Sequence, residues 1–155
     1  MDDLIKELEA QEARLLFDRF DNDDAWALGC LLVETAQERS LAITVDIRRG
    51  GQQLFHAARP GTAPDNDRWI ERKIRVVERL HASSYLVGRR LAARDKVFDA
   101  AYGVDPAEYA THGGAFPIRV RDVGVVGVVT VSGLPQADDH ALVVEVLERF
   151  LARVS

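Results

Sequence analysis

The sequence has one cysteine, no excess of positive charge and no long apolar run, and each shortage argues against a class of protein. The single cysteine, Cys30, excludes an internal disulfide and a multi-cysteine metal cluster. A net charge of −5 argues against nucleic-acid binding, which normally requires a basic surface. No run of about 18 apolar residues is present, so we expect no membrane span. The opening MDDLIKELEAQEARLL is typical of an amphipathic helix and not of a signal peptide, which favours a cytoplasmic protein.

The remaining composition is that of an ordinary globular protein. The chain has 155 residues, of which 47% are hydrophobic and 29% charged. No internal repeat, low-complexity tract or flexible linker divides it. We therefore expect a single domain over residues 1–155.

Hydrophobic patterning predicts five strands among several helices. The strand candidates are RLLFDRF (14–20), LAITVDI and QQLFHAA joined across RRGG, then FPIRV and VVGVVTVSG. Helices are predicted at 3–13, after DNDD, over a long segment from Asp65 or Asn66 that breaks near Gly88, within RDKVFDAAYG, and after Asp138 or Asp139. Because this order lacks regular βαβ alternation, it indicates an α+β fold with helices packed on an antiparallel sheet.

Two of the predicted helices have informative faces. The helix after DNDD has Trp26, Cys30, Val33 and Ala36 at helical spacing, which predicts that these residues are buried. Gly29 within it costs about 1 kcal/mol relative to alanine, so we expect a close helix–sheet approach there. The long helix has two apolar stripes, Trp69-Lys73-Val76-Leu80 and Ile70-Ile74-Val77, which predict contacts on two sides.

The C-terminal half resembles the haem-degrading-domain superfamily. The resemblance lies in GGAFPIRV and VGVVGVVTVSGLPQADDHALV, where the shared positions are Gly113, Gly114, Pro117, Gly124, Gly127, Ser132, Gly133 and Asp139. Upstream, Asp46 with Gly50 and Gly51 is similar to the family's hairpin, and Lys73 lies where its middle helix has a lysine. The resemblance covers nearly the whole chain and is closest to an uncharacterised cytosolic branch.

This resemblance implies a fold and a mode of assembly. It implies a profilin-like fold, with a five-stranded antiparallel sheet and helices on both faces. It also implies a homo-oligomer, in which dimers build a larger ring. Some relatives bind haem, so haem is a possible cofactor, although the resemblance supplies no shared binding motif that would identify the ligand.

The segment His112-Gly113-Gly114 is either a bend or a ligand site. In the first interpretation the segment is a tight turn that leads into the strand containing Pro117, and His112 caps this turn. In the second interpretation the backbone N–H groups of this segment form an anion-binding nest, and the imidazole of His112 lies beside it. A hydrolase oxyanion loop is excluded because the chain has no G-x-S-x-G nucleophile motif.

A second candidate region is the basic hairpin DIRRGGQQ. Arg48 and Arg49 at its tip can clamp a carboxylate or phosphate, or can serve only solubility. In the fold that the resemblance implies, the hairpin, the HGG loop and the helix containing Arg72 and Lys73 are expected to be neighbours. Such a basic cluster would suit an anionic small molecule or haem propionates.

The remaining polar residues predict no catalytic set. The four histidines have neither H-E-x-x-H nor H-x-H spacing, which argues against zinc, and His56 and His140 are expected to be structural. Haem needs only one axial imidazole, for which His112 is our first choice. Ser132 is expected to hydrogen-bond a turn or helix start.

Two hypotheses follow. The first is a protein that binds a small anionic ligand, including haem, through His112, Gly113, Gly114, Arg48, Arg49 and Lys73. The alternative is an oligomeric structural or protein-interaction module without catalytic activity. An enzyme is the weaker third reading, because no complete constellation can be assembled.

Overall fold

The computed structural model describes residues 2–154, which form six α-helices around a four-stranded antiparallel sheet. The helices are α1 (Asp3–Arg14), α2 (Asn22–Arg39), α3 (Pro64–Leu80), α4 (Ser84–Ala92), α5 (Phe98–Tyr102) and α6 (Gln136–Val154). The strands are β1 (Thr44–Arg49), β2 (Gln52–Ala58), β3 (Ala115–Val120) and β4 (Gly124–Ser132), in the sheet order β2-β1-β4-β3. The α+β prediction is confirmed. None of the helices in the described residues is long and apolar enough to cross a membrane.

The strand predicted at 14–20 is wrong. This segment is irregular and touches the sheet through one isolated bridge, between Phe17 and Val120. The Phe17 N–H donates to the Arg119 carbonyl at 2.8 Å, and the Phe17 carbonyl accepts from the Arg121 N–H at 2.8 Å. Its apolar side chains pack into the core instead of extending a ladder, with Phe17 against Phe20 and Phe150. Residues 2–154 therefore form a sheet of four strands and not the expected five.

Helices cover both faces of the sheet, as expected. Successive side chains of a strand point to opposite faces. Val45, Ile47, Phe116 and Val129 belong to the core cluster that α2 and α6 cover. Ala115 and Val128 lie on the other face, against Ile70, Ile74 and Val77 of α3.

The predicted stripe of α2 is confirmed in part, because Ala36 is buried and Cys30 and Val33 pack partly buried against the core, but Trp26 does not follow it. Trp26 is 63% exposed, whereas Leu28, Gly29 and Leu32 are buried. A Cβ added at Gly29 would lie 2.4 Å from Cγ of Phe55 in β2, so the predicted close approach to the sheet is confirmed. Trp26 packs edge-on against the same Phe55 ring, with the centroids 5.4 Å apart.

The long helix predicted from residue 65 ends earlier than expected. Its break is at His81, which adopts the left-handed conformation with φ 53°, and Gly88 lies inside the following helix α4. The two predicted contact surfaces of α3 are confirmed. Ile70, Ile74 and Val77 face the sheet, while Val76 packs with Leu8 and Leu86 in a separate cluster.

Candidate functional site

A cavity of about 260 Å³ lies where β4 ends and β3 begins, between the N-terminal half of α3 and the start of α6. We call it the Lys73 cavity. Its lining is largely polar and comprises Asp65, Asn66, Trp69, Lys73, His112, Ser132, Gly133, Leu134, Gln136 and Asp139. The structure thus brings two of the predicted site residues, Lys73 and His112, to one cavity.

The two glycines after His112 are required by close packing. A Cβ on Gly114, where φ is 134°, would lie 2.3 Å from the Val131 carbonyl oxygen and 2.8 Å from Lys73 Nζ. A Cβ on Gly113 would lie 2.3 Å from the Gln136 carbonyl oxygen. The Gly113 N–H donates to Gln136 Oε1 at 3.0 Å. The loop is therefore a sterically obligatory corner, and an anion at its backbone would have to displace the Gln136 side chain.

A buried ion pair forms one wall of the cavity. Lys73 Nζ donates to Asp139 Oδ2 at 3.3 Å and to the Val131 carbonyl at 3.1 Å. Asp139 was expected as a cap residue, but α6 begins at Gln136 and the other carboxylate oxygen of Asp139 accepts from the Leu134 N–H at 2.9 Å. Burial raises the pKa of Asp139 to about 6 despite the nearby ammonium, and burial lowers the pKa of Lys73.

His112 forms the exposed rim of the cavity. Its ring packs edge-on against Trp69, with the centroids 4.9 Å apart, and the Arg72 guanidinium lies 4.5 Å from the Trp69 ring. Partial burial lowers the pKa of His112, and the positive charges of Lys73 and Arg72 lower it further. The imidazole is therefore neutral at pH 7 and has a nitrogen lone pair to offer. Its backbone carbonyl accepts a hydrogen bond from Ser84 Oγ at 2.6 Å, which ties the loop to α4.

The Arg48–Arg49 hairpin lies away from this cavity, so the expected convergence of hairpin, loop and helix is wrong. The Gly114 carbonyl accepts from the Val131 N–H, whereas Arg49 pairs with Gly127. Those two positions on β4 are four residues apart, or roughly 13 Å along the strand. Arg48 Nε donates to Asp46 Oδ1 at 3.0 Å within the sheet. The antiparallel register places the hairpin and the glycine loop at opposite ends of the sheet.

Three other polar residues that the sequence singled out have structural partners. His140 is buried, its Nε2 lies 2.7 Å from Gln11 Oε1, and burial lowers its pKa to about 4. His56 Nε2 contacts Asp67 Oδ1 at 2.7 Å. Ser132 Oγ accepts from Asn66 Nδ2 at 3.3 Å, a bond to the first turn of α3.

A second cavity, of about 160 Å³, lies on the other side of His112. We call it the Arg89 cavity, and it shares His112 and Gln136 with the Lys73 cavity. Sequence reasoning missed Arg89, Gln136 and Trp69 as site residues. The one available signal was Gly88 within a helix, since a Cβ there would lie 2.5 Å from the Thr111 carbonyl oxygen.

A larger groove of about 590 Å³ runs between residues 14–19 and the end of α6. Its charged side chains pair with one another, as Arg14 does with Glu148 at 2.9 Å and Arg121 with Asp18 at 3.2 Å. Despite its size, the groove contains none of the buried, pKa-shifted groups that distinguish the Lys73 cavity. We therefore place the candidate site at His112.

Comparison with known proteins identifies similar chains over nearly the full length. Residues 20–148 match the family described as haem degrading protein HbpS-like. A UPF0303 protein of Streptomyces coelicolor is 63% identical over 147 residues, covering 95% of this chain and 93% of its own.

Solved structures share the fold. The crystal structure of the Ybr137w protein superposes with a TM-score of 0.90 at 33% identity, over 97% of this chain and 90% of that one. A PduOC:heme complex superposes with a TM-score of 0.70 at 15% identity, over 83% of this chain and 93% of that one. The second similarity concerns the fold alone.

Proposed function

Because this chain belongs to the haem degrading protein HbpS-like family, we propose that it binds haem or a similar anionic small molecule at the His112 site. The PduOC:heme complex, which has the same fold, supports haem as the first ligand to test. In this proposal His112 contacts the ligand, Gly113 and Gly114 shape the corner beside it, and Lys73 forms the cavity wall.

The observation that carries the proposal is the position and protonation of His112. Its ring is exposed on the rim between two cavities, and its pKa lies below the ordinary value because of burial and the charges of Lys73 and Arg72. A neutral imidazole is the form that ligates haem iron. The Arg72 guanidinium, which lies against Trp69 beside this ring, complements a ligand that has carboxylate groups.

The size of the site constrains how haem would bind. Each cavity alone is smaller than the roughly 300–1,000 Å³ typical of pockets that enclose a drug-sized ligand. The two cavities meet at His112 and Gln136, and together they reach the lower part of that range. Haem would therefore lie partly exposed across both. Arg48 and Arg49 would reach it only from a second copy of the chain.

A hemin titration followed at the Soret band tests this proposal. We expect the wild type to give a saturable band, and His112→Ala to shift the band or to weaken binding about tenfold or more, because the axial nitrogen is lost. His56→Ala is the matched control, since His56 is an exposed histidine on β2 and neither it nor its partner Asp67 lines the cavity. If the His112 variant matched the wild type in band position and affinity, the role of His112 would be wrong.

Trp69 provides a second signal. The chain has two tryptophans, and Trp26→Phe leaves Trp69 as the reporter beside His112. We expect a ligand at this site to quench the Trp69 emission with the same midpoint as the Soret change. Quenching without saturation would indicate adsorption elsewhere.

A second candidate function, an oligomeric interaction module, is favoured by the outer side of α2. Trp26 is 63% exposed there, next to β2, which is an edge strand of the sheet. An edge strand offers unpaired backbone groups, and tryptophan is enriched in interfaces. We propose a second copy of this chain as the partner of that surface.

A further inference from the structure

The geometry points to an anion subsite at Arg89, on the side of His112 opposite to the Lys73 cavity, which receives a carboxylate or phosphate group of the bound ligand. This inference rests on the proposed function, because it concerns the same ligand. In this inference Arg89 holds the anionic group of the ligand, whereas the sequence indicated Lys73, Arg48 and Arg49 for that role.

The Arg89 cavity exists because the loop at 111–114 packs tightly on α4. Gly88 has no side chain, so the Thr111 backbone passes close to the helix there. Ser84 Oγ donates to the His112 carbonyl at 2.6 Å and accepts from the Ala115 N–H at 3.2 Å. These bonds hold His112 beside the residue that follows Gly88, which is Arg89.

The lining of the Arg89 cavity suits an anion. It consists of Tyr85, Gly88, Arg89, Ala92, Thr111, His112 and Gln136, and this set includes no acidic residue. A guanidinium stays charged at every physiological pH and has five N–H donors. Arg89 Nε is buried and has no hydrogen-bond partner among residues 2–154. The buried Nε shows that the fold does not engage this edge of the guanidinium, and the remaining N–H groups of Arg89 are donors for an acceptor in the cavity that it lines.

The Lys73 cavity is less suited to an anion. Asp139 and Asp65 both line it, and the Lys73 ammonium already donates to Asp139 and to the Val131 carbonyl. An anionic group would therefore meet a positive charge that is largely balanced. Asn66 and Ser132 in the same lining instead favour an uncharged polar part of a ligand.

These two environments define a class of ligand. Its anionic group lies with Arg89, its body passes the His112 ring, and an uncharged polar or apolar part reaches the Lys73 cavity beside Trp69. Haem meets this description because its propionates lie on one edge of a planar body, and other planar carboxylates or phosphate esters of that length also meet it.

The test compares hemin with its dimethyl ester, whose propionates have no charge, on intact protein. We expect Arg89→Gln to weaken hemin binding about 10- to 100-fold, the loss typical of a charge-assisted hydrogen bond. The same variant should bind the dimethyl ester as the wild type does, and Arg89→Lys should recover part of the hemin affinity. Arg90→Gln is the matched control, because Arg90 is the next residue of α4 but pairs with Glu9 at 2.7 Å on the surface.

The outcomes separate this inference from the proposed function. Equal hemin affinity in Arg89→Gln and wild type would overturn the subsite and leave the His112 site standing. Equal losses for hemin and its ester would show that Arg89 acts only through the fold, for example by stabilising the last turn of α4, and would also overturn it. If the wild type shows no saturable hemin binding, the haem proposal fails, and an Arg89-dependent affinity for inorganic phosphate then decides the subsite by itself.

Discussion

Lys73 and Asp139 show, at the scale of single residues, how burial decides chemistry. Each side chain is 3% exposed, and their charged atoms are 3.3 Å apart. Burial destabilises the charged form of each group, so the pKa of Lys73 is lowered and that of Asp139 is raised to about 6. The buried pair therefore lines the cavity with polar groups, but it does not increase the free energy of unfolding, because desolvation offsets the attraction between the two charges.

A pH dependence follows from Asp139. Its folded pKa of about 6 exceeds the ordinary 3.8, so its contribution to stability is fully present below the unfolded value and is lost as pH rises through the folded value. Between pH 4 and 7 we expect the wild type to lose about 2 kcal/mol of unfolding free energy relative to Asp139→Asn, which has no carboxyl group to ionise at this position. Urea unfolding at several pH values measures this difference.

The control for that experiment is Asp138→Asn, which changes the neighbouring exposed carboxylate in the first turn of α6. Its stability should remain parallel to that of the wild type over the same pH range. Parallel curves for wild type and Asp139→Asn would contradict the raised pKa.

The residue-scale features of the site were only partly predictable. The sequence correctly indicated that Gly113 and Gly114 make a corner, because paired glycines before a strand are a local signal. The partnership of Lys73 with Asp139 was not predictable, since the two residues are far apart in sequence and meet only when α3 and α6 pack at the same end of the sheet. Whether His112, Gly113, Gly114 and Lys73 bind a ligand stays a prediction.

At the scale of elements, the contact between α2 and β2 depends on one glycine. Gly29 lets the Phe55 ring approach the helix backbone, and an added Cβ would lie within 2.5 Å of three ring carbons. Alanine at this position would gain about 1 kcal/mol of helix propensity but would force the helix and strand apart. We expect Gly29→Ala to lower the free energy of unfolding by about 1–2 kcal/mol net, measured by urea unfolding.

The matched control is Ala27→Gly, which makes the reverse change at an exposed position of the same helix. It should cost about 1 kcal/mol from helix propensity alone. A Gly29→Ala variant more stable than wild type would show that the ring moves aside freely and that propensity decides.

The elements themselves were predicted well where patterning is local and poorly where packing overrides it. Residues Leu142, Val143, Val146, Leu147 and Phe150 have helical spacing in the sequence, which predicts one apolar face, and all five are buried in α6. The face of α2 was misjudged at Trp26, which contacts Phe55 of the sheet but stays 63% exposed, whereas the close approach expected at Gly29 is present. The apolar segment at 14–20 has the composition of a strand. It pairs with the sheet at one isolated bridge only, and composition does not distinguish a single bridge from a full strand ladder.

At the scale of the whole molecule, the proposed partner of the α2–β2 surface is a second copy. We expect the protein to sediment as a species larger than the 17.2 kDa chain. Trp26→Glu should shift it toward smaller species without unfolding it, because the indole is exposed and its replacement disturbs little of the core. Analytical ultracentrifugation with circular dichroism measures both properties.

Val123→Glu is the control for that substitution. Val123 is 71% exposed in the turn between β3 and β4, so it tests whether any apolar surface residue has the same effect. If the wild type and the Trp26 variant sediment equally, this surface is not the interface. The same conclusion follows if the Val123 variant dissociates to the same extent as the Trp26 variant.

The sequence by itself determined the α+β class, the β1–β2 hairpin, the glycine corner at 113–114 and the family. These depend on periodicity, turn residues and short motifs, which act over a few neighbouring positions. Only the tertiary structure decided that Arg48 and Arg49 at the end of β1 lie away from His112, and that Arg89 lines a cavity together with His112. The physical reason is that antiparallel register and the close contact of Gly88 with Thr111 are long-range packing outcomes, and these place side chains that are distant in sequence around one site.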